Sequence, residues 1–229
     1  MEFNAFIYAL IAGLLPSLLW LFFFIHEDKA HDRHRRVIFT CFLGGMLAVL
    51  VAIFVENTIA DSVTDMSLRY TLWAATEECL KFAVVAFVAL RTSANEEPLD
   101  AMIYCATVAL GFAAVENTLF VMGPLSNGAV SQAIVTGNMR FIGATLVHVV
   151  SSSLVGFFLG YAFYRGYLSK IIAVTVGLAG AIALHAAFNL SIINAGYSDT
   201  LKTFGWVWGA VVILIILFEE VKMVHPRLS

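Results

Sequence analysis

Seven runs of roughly 20 predominantly apolar residues alternate with short polar connections along this chain of 229 residues. They run approximately from Ala5 to Ile25, Val37 to Val55, Leu68 to Leu90, Ala101 to Met122, Phe141 to Tyr164, Ile171 to Ala195 and Phe204 to Val221. As a helix, each is long enough to cross about 30 Å of hydrocarbon. None shows the strict alternation that a strand of a membrane barrel requires. The connections are too short to fold as separate domains. The pattern therefore predicts an all-α, polytopic membrane bundle of about seven transmembrane helices, with residues 1–229 forming one domain.

The connections differ in character. His26 to Arg36 mixes histidines, basic residues and acids, and reads as a solvated loop. Glu56 to Tyr70 sets Asp61 and Asp65 among Val63, Met66 and Leu68, and reads as a short amphipathic piece along the membrane interface. Thr92 to Asp100 is an acidic loop containing Pro98, and Gly123 to Asn138 collects the Gly, Pro, Ser and Asn typical of an outer loop. Gly156 with Gly160, and Gly177, Ala181 and His185 at spacings of four, mark faces on which helices can approach closely. Val-Glu-Asn-Thr occurs at Val55–Thr58 and again at Val115–Thr118, a match too short to define a repeat.

Composition narrows the class further. With 61% hydrophobic and 13% charged residues and a mean hydropathy of +0.89, the chain lies outside the balance of soluble domains. The first run begins Met1, Glu2 without a basic n-region, so a retained helix is expected rather than a cleaved signal. Cys41, Cys79 and Cys105 lie inside apolar runs without metal-type spacing, which predicts buried free thiols. Nine basic residues fall on one side of a seven-span topology (Lys29, Arg33, Arg35, Arg36, Arg91, Arg165, Lys170, Lys222, Arg227) and three on the other (Arg69, Arg140, Lys202). Basic residues are retained in the cytoplasm, so the N-terminus is expected outside and the C-terminus inside. The lipid bilayer is thus an expected partner, and nucleic acid is not.

Four of the runs carry side chains that a lipid-facing helix should lack: Glu77, Glu78 and Lys81, then Glu116, then His148, then His185 with Asn189. An ionisable group near the bilayer centre costs roughly 2.5–3.5 kcal/mol even on the lenient insertion scale, so each should face protein or water. A rise of 1.5 Å per residue puts Glu77 about 14 Å, Glu116 about 9 Å, His148 about 10 Å and His185 about 15 Å from the outer boundary. All four therefore fall in the outer half of the membrane. Glu77 and Lys81 are four apart and Glu78 and Lys81 three apart, so one ammonium reaches either carboxylate. Holding one glutamate ionised leaves the other free to act as a base or a ligand. Ser151 and Ser152, which follow His148 by three and four, are expected to bond their own helix backbone. Three carboxylates and two imidazoles at one depth exceed what packing needs and point to a working site.

These residues also carry a resemblance. E-E-x-x-K at Glu77, Glu78 and Lys81, F-x-x-x-E-N at Phe112, Glu116 and Asn117, an Arg-then-His helix at Arg140 and His148, and H-x-x-x-N at His185 and Asn189 occur in this order. Together they resemble the PrsW family, which is related to the CAAX-protease and Abi superfamily. Glu97, Pro98, Leu99 and Asp100 also resemble the family pattern. The resemblance covers about Leu68 to Asn194 and implies a motif-bearing catalytic core over 68–194, flanked by helices within 1–67 and 204–229. It implies an intramembrane protease, resident in a bacterial or archaeal plasma membrane, that cuts single-pass membrane-anchored proteins such as anti-sigma factors. Glu77, Glu78, Glu116, His148 and His185 would be its catalytic residues, with Lys81, Asn117, Asn189 and Arg140 in support.

Peptide hydrolysis needs an activated water, oxyanion stabilisation and a proton for the leaving amine. In a metal-free mechanism Glu77 is the base, Lys81 holds Glu78, His148 orients the water, and His185 and Asn189 bond the oxyanion. In a metal-dependent one, Zn2+ or another divalent ion is held by His148, His185 and Glu116 while Glu77 is the base. The H-E-x-x-H spacing is missing, so the pattern leaves both open. A proton- or cation-coupled transporter, or a non-catalytic scaffold binding membrane helices, would also place such residues in the membrane.

Overall fold

Nearly every apolar run continues as helix past the point where its hydrophobicity ends. The computed structural model describes residues 2–27, 35–194 and 197–226. Its helices are α1 (Glu2–Glu27), α2 (Arg35–Ser62), α3 (Met66–Val88), α4 (Pro98–Ser126), α5 (Val130–Met139), α6 (Thr145–Tyr161), α7 (Tyr167–Asn194) and α8 (Tyr197–Lys222). A π-helical turn, Arg140–Ala144, joins α5 to α6 without a break, and no strand occurs among the described residues. Six segments are long and apolar enough to cross a membrane, with α5, the π turn and α6 counting as one. The seventh, α3, has 23 residues, about 34 Å of helix, but carries Arg69, Glu77, Glu78 and Lys81.

The helix bounds revise three of the expected connections. In place of an interfacial piece over Glu56–Tyr70, α2 runs to Ser62 and α3 starts at Met66. Asp65 caps α3 by accepting from the Leu68 amide at 2.7 Å, and Arg69 donates to the Val63 carbonyl, so the polar residues tie a tight turn. The outer loop expected over Gly123–Asn138 shrinks to residues 127–129, where Gly128 takes φ 75°. Pro124 sits within the last turn of α4, and Ala133 of α5 is buried with Val121 and Ala9. Third, Pro98 begins α4 instead of lying in a loop, with Asp100 accepting from the Glu96 and Glu97 amides at 2.7 Å each. Most of the charged stretch His26–Arg36, residues 28–34, lies outside the described residues.

Helix α4 forms the axis of the bundle, with every residue from Asp100 to Ala114 buried. A helix apolar all round belongs inside, and α1, α2 and α6 surround it. Small residues set the spacing as the G-x-x-x-G pattern predicts. A Cβ on Gly156 would stand 2.5 Å from the Met102 Cα, and one on Gly177 would stand 2.8 Å from the Val155 Cα. These contacts draw α6 against α4 and α7 against α6. Cys41 and Cys105 are buried free thiols, whereas Cys79 points outward and is exposed.

Candidate functional site

Helix α3 brings Glu77, Glu78 and Lys81 to the centre of the bundle, where all three are buried. α6 supplies His148 and α7 supplies His185. The two imidazoles meet edge to face with ring centroids 4.8 Å apart. Lys81 Nζ contacts Glu78 Oε1 at 2.9 Å, Glu77 Oε2 at 3.3 Å and His148 Nδ1 at 2.7 Å. An ammonium has three protons and no lone pair, so these contacts use all of its donors. The ring of Phe112 lies beneath it, 4.4 Å from Nζ to the centroid.

That contact fixes the tautomer of His148. Nδ1 must accept from Lys81, so Nε2 carries the ring proton and donates it to Glu116 Oε2 at 2.7 Å. Arg140 Nη2 donates to the same Glu116 oxygen at 2.6 Å, and its Nε donates to Asn117 Oδ1 at 2.5 Å. Asn117 donates to the Thr145 hydroxyl at 2.8 Å, which donates to the Arg140 carbonyl at 3.1 Å. The Arg140 guanidinium also lies 3.9 Å from the Phe120 ring centroid. A closed network therefore holds Glu116 against His148.

Glu78 is engaged on both oxygens. Lys81 and His185 Nδ1 share Oε1, each at 2.9 Å, and Ser152 donates to Oε2 at 2.7 Å. Ser152 thus bonds a carboxylate on another helix rather than its own backbone as expected, because α3 lies beside α6 at that level. His185 Nδ1 is turned to Glu78, and its Nε2 lies 3.9 Å from Glu77 Oε2. A carboxylate behind one imidazole nitrogen, with the other turned to a second carboxylate, is an arrangement that can orient a metal-binding histidine.

Glu77 Oε2 therefore faces His148 Nδ1 at 3.6 Å and His185 Nε2 at 3.9 Å. One donor atom from each of Glu77, His148 and His185 lies within 4.8 Å of the others. Four-coordinate zinc with arms of about 2.0–2.1 Å separates its ligand atoms by about 3.4 Å, so the two histidines and Glu77 would have to draw together, by up to about 1.4 Å, to hold an ion. The donor chemistry suits a divalent cation, provided that Lys81 leaves His148 Nδ1; Glu78 remains its partner. The carboxylate in this triad is Glu77, whereas Glu116, the expected third ligand, lies across His148 and is engaged by Arg140.

A cavity of about 500 Å³ opens on this centre. Its wall includes Glu77, Glu116, Arg140 and Asn189, with Trp73, Phe112 and Phe188. Ile53, Leu119, Phe120 and Ile193 on its lining are exposed, which gives the cavity an apolar border. The sequence reading missed Thr145, the glutamate-binding role of Ser152, and Glu56 of α2, which also lines this cavity.

Residues 33–219 match the family model described as PrsW family intramembrane metalloprotease. Among curated relatives, the chain is similar to Protease PrsW of Geobacillus kaustophilus, 30% identical over 66% of this chain and 65% of that protein. It is also similar to Protease PrsW of Oceanobacillus iheyensis, 26% identical over 83% and 84% of the two chains. Protease PrsW of Bacillus subtilis is 23% identical over 78% and 79%. The match to the Geobacillus protein thus spans just under two thirds of that relative. No solved structure matches significantly.

Proposed function

Because the chain belongs to the PrsW family of intramembrane metalloproteases, we propose that it is a multi-pass endopeptidase that hydrolyses peptide bonds of membrane-anchored proteins. The single observation that carries this reading is the convergence of Glu77, His148 and His185 beside an apolar-bordered cavity whose wall includes Glu77. Such a border admits a membrane segment, and the polar cluster supplies hydrolytic groups. A single-pass protein of the anti-sigma-factor type fits this route.

Glu77 is the general base. Among the described residues its hydrogen-bonding and ionic contacts run through Oε2, which leaves Oε1 to take a proton from water and return it to the leaving amine. Glu78 does not turn over a proton; pinned by Lys81 and Ser152, it holds His185 in the orientation that turns Nε2 to Glu77. Glu116 does the same for His148, and Arg140 with Asn117 fixes Glu116. Asn189 on the cavity wall offers its amide to the developing oxyanion.

Glu77, His148 and His185 would hold a divalent ion, and that ion would polarise the scissile carbonyl and acidify a bound water. His185 suits this arrangement, because Glu78 occupies its Nδ1 at 2.9 Å and its Nε2 faces Glu77. The catalytic core spans 68–194 within one bundle of residues 1–229, with α1, α2 and α8 closing it. Purified protein with a single-pass substrate tests the reading. Cleavage lost in Glu77→Gln and in His185→Ala, both still folded, is the expected result; unchanged turnover in both would remove the protease assignment.

A further inference from the structure

We propose that Glu56 determines substrate specificity, its carboxylate receiving a lysine or arginine side chain of the segment lying in the cleft. This rests on the peptidase reading above. Val49, Ala52, Ile53 and Glu56 all line the cavity, at intervals of three and four along α2, so they form one continuous face of that helix. The face is fixed against α3 by the Trp73 Nε1 donor on the Glu56 main-chain carbonyl at 3.1 Å. That bond engages the backbone and leaves the carboxylate free on the cavity wall.

Each other charged group on the wall has an internal partner. Glu77 has Lys81 at 3.3 Å, while Glu116 and Arg140 have each other at 2.6 Å. The Glu56 carboxylate has no hydrogen bond or salt bridge among the described residues. A lone carboxylate six residues from the end of a spanning helix lies about 9 Å below that end, a depth at which ionisable groups mark ligand paths. Around the cavity stand four carboxylates (Glu56, Glu77, Glu78, Glu116) and two cations (Lys81, Arg140). Both cations are committed elsewhere, so a cationic visitor is the partner that Glu56 lacks. An apolar border of Ile53, Leu119, Phe120 and Ile193 selects an otherwise apolar segment. The favoured substrate is therefore a membrane segment with a single Lys or Arg near the bond to be cut.

The test uses the purified full chain in detergent and a series of labelled single-span peptides, identical except that each position flanking the cleaved bond is in turn Lys, norleucine or Glu. Wild type is expected to show one position at which Lys raises kcat/KM about tenfold over norleucine, chiefly through KM. Glu56→Gln brings that ratio to about one, and Glu56→Lys turns the preference toward Glu. Affinities of the same peptides for Glu77→Gln, alone and combined with Glu56→Gln, give the same comparison without turnover. Failure of wild type to cleave any peptide would remove the peptidase reading, while those affinities still decide the role of Glu56. A Lys preference that persists in Glu56→Gln would overturn the proposal. So would an equal loss for all peptides accompanied by lost bound metal.

Discussion

Lys81 Nζ and His148 Nδ1 lie 2.7 Å apart in the core of the bundle, joining α3 to α6 across 67 positions of sequence. The contact makes Lys81 the hub of the site, since the same ammonium holds Glu77 and Glu78. Lys81→Met would leave two buried carboxylates without their counter-charge. A loss of about 3–5 kcal/mol is expected, read as a lower unfolding temperature in detergent, and Glu77→Gln should not share it.

Glu77→Gln retains the shape of the side chain and a hydrogen-bond acceptor for Lys81, but removes the base. Turnover should fall at least about 10²-fold with KM little changed, as measured on a single-pass substrate. A fall confined to KM would assign Glu77 to binding alone.

Arg140→Lys tests whether the network behind His148 acts by geometry or by charge. The guanidinium contacts Glu116 through Nη2 and Asn117 through Nε, a fork that an ammonium cannot reproduce. Loss of such outer support typically costs about 10–100-fold in activity or metal affinity. Activity assays beside metal analysis of the purified variant check this; wild-type values in both would show that charge alone suffices.

Divalent metal bound by Glu77, His148 and His185 should be lost on prolonged chelation and regained with added Zn2+. His185→Ala should bind less metal at equal protein concentration, and that deficit is measurable whether or not the protein is active. Equal metal content in wild type and the variant would exclude His185 as a ligand.

Gly156→Leu probes the helix packing beneath the site. A Cβ there already meets Met102 Cα and the Ala101 carbonyl, so a larger side chain must force α6 from α4. The expected cost is at least about 1–3 kcal/mol, with reduced yield of folded protein. Gly205→Leu, on a helix face with nothing near, serves as the tolerated control.

The helices and most of the site were legible because charge in an apolar run is costly and therefore conspicuous. Glu77, Glu116, His148 and His185 each stood out on that ground; the structure groups Glu77 with both histidines and sets Glu116 on the far side of His148. Helix α5 was not legible: Gly137 and Asn138 read as loop residues, yet burial of Ala133 against Val121 and Ala9 overrides their weak propensity. Nor was the partner of Ser152, since a bond to Glu78 across 74 positions depends on tertiary packing. Glu56 was hidden differently. It stood at the edge of a stretch expected at the interface, whereas α2 continues as helix to Ser62 and carries it into the cavity wall.

The π-helical turn between α5 and α6 gives an odd spacing its meaning. Arg140 and His148 are eight residues apart, which on an ordinary helix would point them about 80° away from each other. The Thr145 amide bonds the Arg140 carbonyl five residues back, and this wide turn absorbs one residue. The pair then behaves as if seven apart, about 20° from alignment, and both side chains grip a single oxygen of Glu116. Deleting one residue in the turn while relaxing it to an α-helix would keep that alignment; restoring a regular helix without the deletion would swing Arg140 off its carboxylate.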